Sequence, residues 1–155
     1  MPADKAYQAV VRFGITTATD DLEGDVLTQS AADNLTRETV TSALTDFVGT
    51  VQQRPPMYSA IQVDGKRLYD LARKGQQIDV PTREVTLHEL TLVDWQSGTQ
   101  PDLILDVVCS PGTYIRSLAR DLGAAVGTGA TLAGLKRTRS SGFELKHSIT
   151  LEDLE

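Results

Sequence analysis

The sequence predicts an α+β fold in which a mixed, largely antiparallel sheet is flanked by helices and carries a small basic projection. Segments with the composition of β-strands occur at 6–15, 84–95, 103–108 and 130–139. Segments with apolar residues at helical spacing lie at 37–47 and 114–126. This mixed order is typical of a sheet that packs against helices on a shared core. The length of 155 residues fits one domain, 1–155, with a sizeable core.

The first third of the chain predicts a strand, a turn and a helix. Residues 6–15 (AYQAVVRFGI) are rich in strand-forming residues and alternate loosely between polar and apolar. Residues 19–25 (TDDLEGD) have the chemistry of a turn. Thr36 is a suitable N-cap for a helix over 37–47, and Gly49 stands where a glycine often ends a helix.

A basic projection is predicted at about 54–80, with its body at 57–76. The Pro55-Pro56 pair interrupts regular structure before it. Within the projection, the pattern predicts a short strand at 58–63, a tight turn at Asp64-Gly65 and a short helix at 66–74.

The second half predicts two long strands, a helix and a last strand. Residues 84–95 (EVTLHELTLVDW) change parity near His88, which indicates a bulge or bend. Residues 103–108 (LILDVV) are almost continuously apolar, as a central strand is. A helix over 114–126 and a strand over 130–139 follow.

Composition argues against several classes of protein. No apolar run is long enough to span a bilayer, and the first residues lack the pattern of a signal peptide. A single cysteine, Cys109, excludes an internal disulfide and fits a reducing cytoplasm. His88 and His147 are far apart and have no local cysteine partner, so no metal site is expected.

The net charge of −6 hides a segregation of charge along the chain. Acidic residues crowd the segment from Asp20 to Asp33 and the last residues of the chain. Basic residues gather at Arg54, Lys66, Arg67, Arg73 and Lys74, and again at Lys136, Arg137 and Arg139. A protein that touches RNA over a limited face needs only that face to be positive. The alternative interpretation is that these are solvated charges on an ordinary surface.

Three segments carry a family resemblance: RPPMYSAIQVDGKRLYDLARKG from Arg54, CSPGTYIRSLARDLG from Cys109, and GLKRTR from Gly134. In this order they resemble the TruB family of tRNA pseudouridine synthases, which isomerise the uridine at position 55 in the T-loop of tRNA. The resemblance implies a partial pseudouridine synthase fold, a tRNA T-arm partner and no cofactor. In that family the projection is a thumb-like insertion that closes over the RNA.

The resemblance also implies roles for individual residues. Tyr7, in KAYQA, matches the tyrosine that contacts the target base, and Arg116, in GTYIR, matches the arginine that pairs with the catalytic aspartate. Tyr114 matches a second aromatic residue of the base pocket, and Leu135, in GLKR, matches an apolar residue that lines it. Residues implied to contact RNA are Arg54, Lys66, Arg67, Arg73, Lys74, Lys136 and Arg137.

Each of these residues also has an ordinary structural interpretation. Tyr7 and Tyr114 fit half-buried aromatics with a satisfied hydroxyl. Arg116 has possible ion-pair partners in Asp121 and Asp106, or faces solvent. The length of the motifs and their order favour the functional interpretation.

The family's catalytic aspartate lies in a segment like GHxGTLDPxAxG, and these residues contain no such segment. The chain therefore resembles the C-terminal part of an enzyme that lacks the N-terminal segment with its nucleophile. Asp20, Asp21 and Asp25 are alternative acids, but their setting favours turn formation. We therefore expect the chain to be inactive alone. We also expect an unpaired strand edge near 7–15 that promotes self-association.

Three functions remain open from the sequence. The first is a portion of a tRNA pseudouridine synthase, and the second is an RNA-binding module without chemistry. The third is a globular domain unrelated to RNA, with accidental basic clusters. Salt-dependent binding to a T-arm hairpin separates the first two from the third.

Overall fold

The computed structural model describes residues 4–56 and 81–138, together with the backbone of 62–63, 66–67 and 139. Its strands are β1 Lys5–Phe13, β2 Ile15–Thr17, β3 Val26–Gln29, β4 Gly49–Gln53, β5 Gln62–Val63, β6 Lys66–Arg67, β7 Arg83–Gln96, β8 Asp102–Cys109 and β9 Ala130–Arg139. Its helices are α1 Arg37–Thr45 and α2 Ile115–Val126. The expected α+β class is confirmed. Within the described residues, no helix is long and apolar enough to cross a membrane.

A five-stranded sheet organises the fold, in the order β4-β7-β8-β1-β9. All four pairings between these strands are antiparallel. Strand β1 pairs with β8 on one side and β9 on the other, so it lies inside the sheet. The expectation of an unpaired edge near 7–15 is therefore wrong for β1. Its backbone groups are used by the two neighbouring strands, and the reason for expecting self-association there no longer holds.

Two helices cover one face of this sheet and enclose the core. The core side chains of β1 and β8 alternate along each strand, at Ala9, Val11 and Phe13, and at Leu103, Leu105, Val107 and Cys109. The predicted buried face of α2 is confirmed, since Ile115, Leu118, Ala119 and Leu122 belong to the same cluster. Burial of this apolar surface is the main source of stability of the sheet-helix layer.

The contact of α2 with β9 depends on a glycine. A Cβ atom built on Gly123 would lie 2.2 Å from the backbone nitrogen of Ala130, a distance that no side chain tolerates. The helix ends four residues later at Gly127, which has a left-handed φ of 83°. These two positions let the chain turn back and place β9 directly beside the end of the helix.

The structure also differs from the predicted elements in several places. Helix α1 ends at Thr45 instead of 47, and Gly49 begins the edge strand β4 instead of ending the helix. Strand β3 was not predicted, because its four residues are all exposed and show no apolar alternation. The bulge expected near His88 is confirmed by a register shift between Leu87 and Glu89.

Most of the basic projection, at 57–80, lies outside the described residues. Its described backbone forms a short antiparallel pair in which Gln62 faces Arg67 and Val63 faces Lys66. The predicted helix at 66–74 is therefore wrong in its first two residues, which pair with the preceding strand across the predicted turn. Residues 68–74 of that predicted helix lie outside the described residues.

Candidate active site

One face of the sheet gathers three of the four residues expected at the active site. In the register of β1 with β9, Tyr7 lies opposite Arg137 and Ala9 lies opposite Leu135. Directly opposed residues of an antiparallel pair project from the same face. Ala9 belongs to the core and Tyr7 packs against it, so these residues share the face that α2 covers. Arg116 lies in the first turn of α2 on this same side.

A surface cleft of about 450 Å³ opens where this face meets the loop after β2. Its walls include Arg116 from α2, Leu135 from β9, and Asp21 and Glu23 from the loop. Leu135 is 46% exposed, whereas Ala130 and Leu132 earlier in the strand are buried in the core. An exposed leucine beside a guanidinium gives the cleft an apolar wall and a cationic wall, which suits a flat polar ring.

Arg116 is held by the loop that forms the other wall. Its Nη1 donates to the carbonyl oxygen of Thr19 at 3.1 Å and lies 3.8 Å from Oδ2 of Asp21. The two partners suggested by sequence are engaged elsewhere, since Asp121 pairs with Arg120 and Asp106 accepts from Gln8. Sequence did not suggest Asp21 as the acidic neighbour of Arg116, because the two are 95 residues apart in the chain.

The loop at 19–25 is a turn, as predicted, and its acids form it. Oδ1 of Asp21 accepts from the hydroxyl of Thr19 at 2.5 Å and from the backbone nitrogen of Glu23 at 3.0 Å. The backbone nitrogen of Leu132 donates to the carbonyl oxygen of Asp20 at 3.0 Å and docks the loop on β9. Asp20 itself has a left-handed φ of 64°, which is strained for a residue with a side chain.

The carboxylate of Asp20 is the most buried acid of this region. It pairs with Nη1 of Arg120 at 3.3 Å, and its side chain is 13% exposed. Burial raises the pKa of Asp20 above its ordinary value of 3.8, while the attraction of Arg120 opposes this shift. The desolvation of the charge therefore outweighs the ion pair.

Tyr7 is half-buried between the core and Arg137. Burial raises the pKa of its phenol above the ordinary value of 10.0, with a further contribution from Cys109, while Arg137 opposes the shift. Tyr7 is therefore a neutral hydroxyl at physiological pH. It offers a hydrogen-bond donor and an aromatic surface to whatever occupies this face.

Tyr114 precedes α2, and its backbone is fixed by a buried amide. Oε1 of Gln53 accepts from the nitrogen of Tyr114 at 2.8 Å, and Nε2 of Gln53 donates to its carbonyl oxygen at 3.0 Å. The guanidinium of Arg83 lies 5.9 Å from the centre of the Tyr114 ring. Sequence reasoning missed Gln53 and Arg83, because nothing local marks a glutamine or arginine that acts on a residue far along the chain.

The residues expected to contact RNA are distributed unevenly. Arg54 and Lys136 are exposed, and Arg137 is half-buried. Lys136 lies opposite Gln8 in the register, so it projects from the sheet face opposite to that of Arg137. Among the described residues, Nε of Arg137 is a buried nitrogen without a hydrogen-bond partner. Of the others, Lys66 and Arg67 are described only in their backbone, and Arg73 and Lys74 lie outside the described residues.

Metal ligation has no candidate in the described residues. Across 4–56 and 81–138, no group of three or more histidine, cysteine or acidic side chains is arranged to hold a metal ion. The chemistry on this face is that of a guanidinium, carboxylates, phenols and apolar surface.

Two family models match the chain. Residues 1–115 match the model described as TruB family pseudouridylate synthase (N terminal domain). Residues 116–155 match the tRNA pseudouridylate synthase B C-terminal domain. The boundary between the two matches falls at Arg116, inside the first turn of α2.

Curated relatives support the same assignment. The chain is 53% identical over 154 residues to "tRNA pseudouridine synthase B" of Acaryochloris marina, covering 99% of this chain and 53% of the relative. It is 54% identical over 155 residues to the protein of the same name from a Nostoc species, covering 100% of this chain and 53% of the relative. The chain therefore spans about half the length of these relatives.

Solved structures share the fold. The match to the crystal structure of a Cbf5-Nop10-Gar1 complex has a TM-score of 0.59 and 27% identity, over 90% of this chain and 31% of that chain. A structure of an H/ACA RNP bound to a substrate RNA containing 2'-deoxyuridine matches at a TM-score of 0.55 and 22% identity, over 90% of this chain and 29% of that chain. The second likeness supports the fold alone.

Proposed function

The chain belongs to the TruB family of pseudouridylate synthases, and we propose that it is part of a tRNA pseudouridine synthase. In this proposal it supplies the pocket for the target base and the arginine that orients the catalytic carboxylate. The proposed substrate is the uridine at position 55 in the T-loop of tRNA. The names of its relatives support a tRNA substrate.

The cleft around Arg116 is the observation that carries this proposal. Both contacts of Arg116 to described residues use Nη1, and a guanidinium has five N–H donors in a fixed fork. A second carboxylate can therefore bind to the remaining donors. A guanidinium in this position keeps a half-buried carboxylate ionised and oriented.

The pocket for the base is proposed between Tyr7 and Leu135. Both lie on the face that α2 covers, and their positions on neighbouring strands are about 7 Å apart along the strand direction. A uracil ring that leaves the RNA stack needs an apolar surface for its faces and donors for its carbonyl oxygens. In this proposal Leu135 supplies the apolar surface, and the neutral hydroxyl of Tyr7 supplies one hydrogen-bond donor.

The proposed reaction is an isomerisation without net oxidation or reduction. The bond between N1 of uracil and C1′ of ribose breaks, the base turns, and a bond forms between C5 and C1′. N1 gains a proton and C5 loses one. The carboxylate acts at the sugar, Arg116 keeps it charged, and the pocket holds the free base during its rotation.

The proposed RNA partner is the T-arm of tRNA. The exposed Arg54 is the first residue of the 54–80 insertion, and Arg137 lies beside Tyr7 on the pocket face. In this proposal both contact phosphates that flank a base in the pocket. A cytoplasmic location belongs to the same proposal, and the single reduced cysteine fits it.

We further propose that these residues alone do not form pseudouridine. They contain no segment like GHxGTLDPxAxG, which carries the nucleophile in the family. The nearest acid in the cleft, Asp21, uses Oδ1 to hold Thr19 and the nitrogen of Glu23. That engagement favours a structural role for Asp21. Loss of a covalent or acid–base group typically removes several orders of magnitude of rate.

The test combines the chain with a T-arm hairpin in two steps. Filter binding at several salt concentrations is expected to show affinity that falls steeply with salt. Nuclease digestion and chromatography of the RNA are expected to show no pseudouridine. Fusion to the part of the Nostoc relative that lies upstream of the matched residues is expected to restore turnover. Pseudouridine formed by the chain alone, free of host enzyme, would contradict the proposed inactivity.

The alternative is an RNA-binding module without chemistry. It predicts the same salt-dependent binding but no turnover after fusion. An absence of binding at every salt concentration would remove both functions.

A further inference from the structure

Arg120, one turn after Arg116 on α2, uses all three nitrogens of its guanidinium in contacts with other groups. Nε donates to Oδ1 of Asp121 at 3.1 Å, and Nη1 donates to Oδ2 of Asp20 at 3.3 Å. Nη2 donates to the carbonyl oxygen of Arg54 at 2.8 Å. Arg120 is thereby in contact with both chain segments that flank the N-terminal half of α2.

The contact with Asp20 holds a strained point of the loop. Asp20 has a φ of 64°, and conformations of this kind persist only where the surroundings determine them. Three contacts of Asp20 do so here, and one is a backbone bond from its own nitrogen to the carbonyl oxygen of Thr17 at 3.4 Å. Arg120 binds the side chain of Asp20, and the nitrogen of Leu132 binds its carbonyl oxygen.

The residues on either side of Asp20 are those that contact Arg116. Thr19 accepts from Nη1 of Arg116 through its carbonyl oxygen, and the carboxylate of Asp21 lies 3.8 Å from the same nitrogen. Arg116 and Arg120 are four residues apart, so they lie on one face of the helix. Two arginines on one face of α2 thus contact three consecutive residues of the loop, 19–21.

The third contact orients Arg120 itself. The carbonyl oxygen of Arg54 accepts from Arg120 and also from Oγ of Ser117 at 2.7 Å. The adjacent Gln53 is 2% exposed and is bonded to the backbone of Tyr114. The guanidinium of Arg120 is therefore fixed through Nη2 by the backbone next to the buried Gln53, and this orients Nη1 toward Asp20.

We propose that Arg120 is a positioning residue for Arg116. It holds the strained turn at Asp20, and that turn sets the distance of Thr19 and Asp21 from the Arg116 guanidinium. Arg120 acts through the protein and does not contact the RNA. The link to catalysis rests on the proposed function. The effect of Arg120 on the loop and on Arg116 is testable without RNA.

The first test measures the loop in the free protein. Amide hydrogen exchange is followed at Leu132, which donates to Asp20, and at Glu23, which donates to Asp21. Arg120→Ala is expected to speed both exchange rates by about tenfold or more, since the contact that restrains the turn is lost. The Nε–H NMR signal of Arg116 is expected to shift in the same variant.

Arg12→Ala is the matched control. Arg12 also makes a two-point ion pair with an aspartate, Asp102, at 2.9 and 3.2 Å, but on the sheet face opposite to the core. It is expected to leave the Leu132 and Glu23 exchange rates and the Arg116 signal unchanged. Asp20→Gly adds a second variant, because glycine adopts a positive φ without strain. In that background, Arg120→Ala is expected to add less than about threefold to the exchange rates, because the strained turn no longer needs to be held.

The second test separates positioning from RNA contact. The salt dependence of T-arm hairpin binding is measured for Arg120→Ala. A lost phosphate contact lowers the slope of log affinity against log salt by about 1, whereas a positioning residue leaves it unchanged. We expect an unchanged slope. A lowered slope would assign Arg120 to the RNA interface and overturn the proposal.

The two tests fail independently. Unchanged exchange at Leu132 and Glu23 with an unmoved Arg116 signal would overturn the role of Arg120, whatever the RNA does. Loss of RNA binding by the unsubstituted chain would overturn the proposed function and leave the exchange experiment decisive for Arg120. If Arg120→Ala does not fold, Asp20→Asn tests the same contact. Its exchange rates at Leu132 and Glu23 are expected to exceed those of the unsubstituted chain. Unchanged rates would overturn the proposal.

Discussion

Arg116 and Asp21 face each other across the cleft with 3.8 Å between Nη1 and Oδ2. This is longer than a charge-assisted hydrogen bond, which is about 2.7–2.9 Å. The other carboxylate oxygen of Asp21, Oδ1, accepts from Thr19 and Glu23 within its own turn. Asp21 therefore adds negative potential beside Arg116 without saturating it. The arrangement leaves the guanidinium oriented and able to form a shorter pair with a second carboxylate.

The Arg116 guanidinium gives the first prediction. In the enzyme restored by fusion, Arg116→Ala is expected to lower the rate of pseudouridine formation by about 100-fold or more, because the carboxylate loses its counter-charge. Single-turnover rates measured with saturating T-arm hairpin check this. Arg116→Lys keeps the charge but loses the fork, and is expected to recover only part of the rate. A rate of Arg116→Ala within threefold of the parent's would contradict the assignment.

Gln53 gives the second prediction. Removal of its amide leaves the nitrogen of Tyr114 without this partner and its carbonyl oxygen with the nitrogen of Leu118, so Gln53→Ala is expected to destabilise the chain by about 1–3 kcal/mol. Urea unfolding measures the change. Gln52→Ala is the control, since Gln52 is exposed and its side chain accepts from Thr82, an exposed contact. It is expected to cost less than about 0.5 kcal/mol. Equal effects of the two substitutions would show that the buried amide has no special role.

Asp20 gives a prediction of pH dependence. Its folded-state pKa is raised above 3.8 by burial, so its contribution to stability is fully present below pH 3.8 and is lost as the pH rises through the folded pKa. Asn at this position does not titrate and tolerates a positive φ. The free energy of unfolding of the parent minus that of Asp20→Asn is therefore expected to fall as the pH rises from 3.5 to about 7. A difference that rises over this range would mean that the Arg120 ion pair outweighs burial.

Gly123 gives a prediction about packing. Gly123→Ala places a methyl group 2.2 Å from the nitrogen of Ala130 and is expected to force α2 away from β9, at a cost of about 3 kcal/mol or more. Thermal unfolding followed by circular dichroism measures this. Gly127→Ala is the comparison, because a Cβ atom there meets nothing within 4 Å and only the left-handed φ is strained. Its expected cost is about 1 kcal/mol. A reversed order of the two costs would be incompatible with the described contact.

The two basic residues after Leu135 give the last prediction. Arg137 shares the face of Tyr7, whereas Lys136 projects from the other face. Arg137→Ala is expected to weaken T-arm binding and to lower the salt slope by about 1, and Lys136→Ala is expected to have little effect. Filter binding at four salt concentrations distinguishes them. Equal losses of affinity for both variants would mean that RNA contacts both faces of the sheet, or that it contacts neither face specifically.

The contrast between Lys136 and Arg137 shows how much of the candidate site can be predicted from the sequence. The motif GLKRTR predicted a basic strip, and the strand prediction for 130–139 is confirmed. Alternation along a strand then divides the strip between two faces. Which of those faces bears the pocket depends on where α2 packs, and no local pattern reports that.

Local physical chemistry determined the elements from the sequence. Apolar spacing predicted α2 and its buried residues, the Thr36 cap marked the start of α1, and the parity change marked the bulge in β7. Each of these depends on residues within a few positions of one another. Short exposed strands such as β3 were not predicted, because their composition does not distinguish them from a loop.

Only the tertiary structure decided the neighbours. It placed β1 inside the sheet, brought Asp21 to Arg116, and joined Arg120 to both Asp20 and Arg54. The side-chain contacts among these link residues 66 to 100 positions apart, and their geometry follows from how the helices pack on the sheet. Sequence motifs therefore determined which family this protein belongs to. The packing of α2 against β9 and the loop at 19–25 determined what those residues can touch, because a side chain's partners are set by the whole fold and not by its neighbours in the chain.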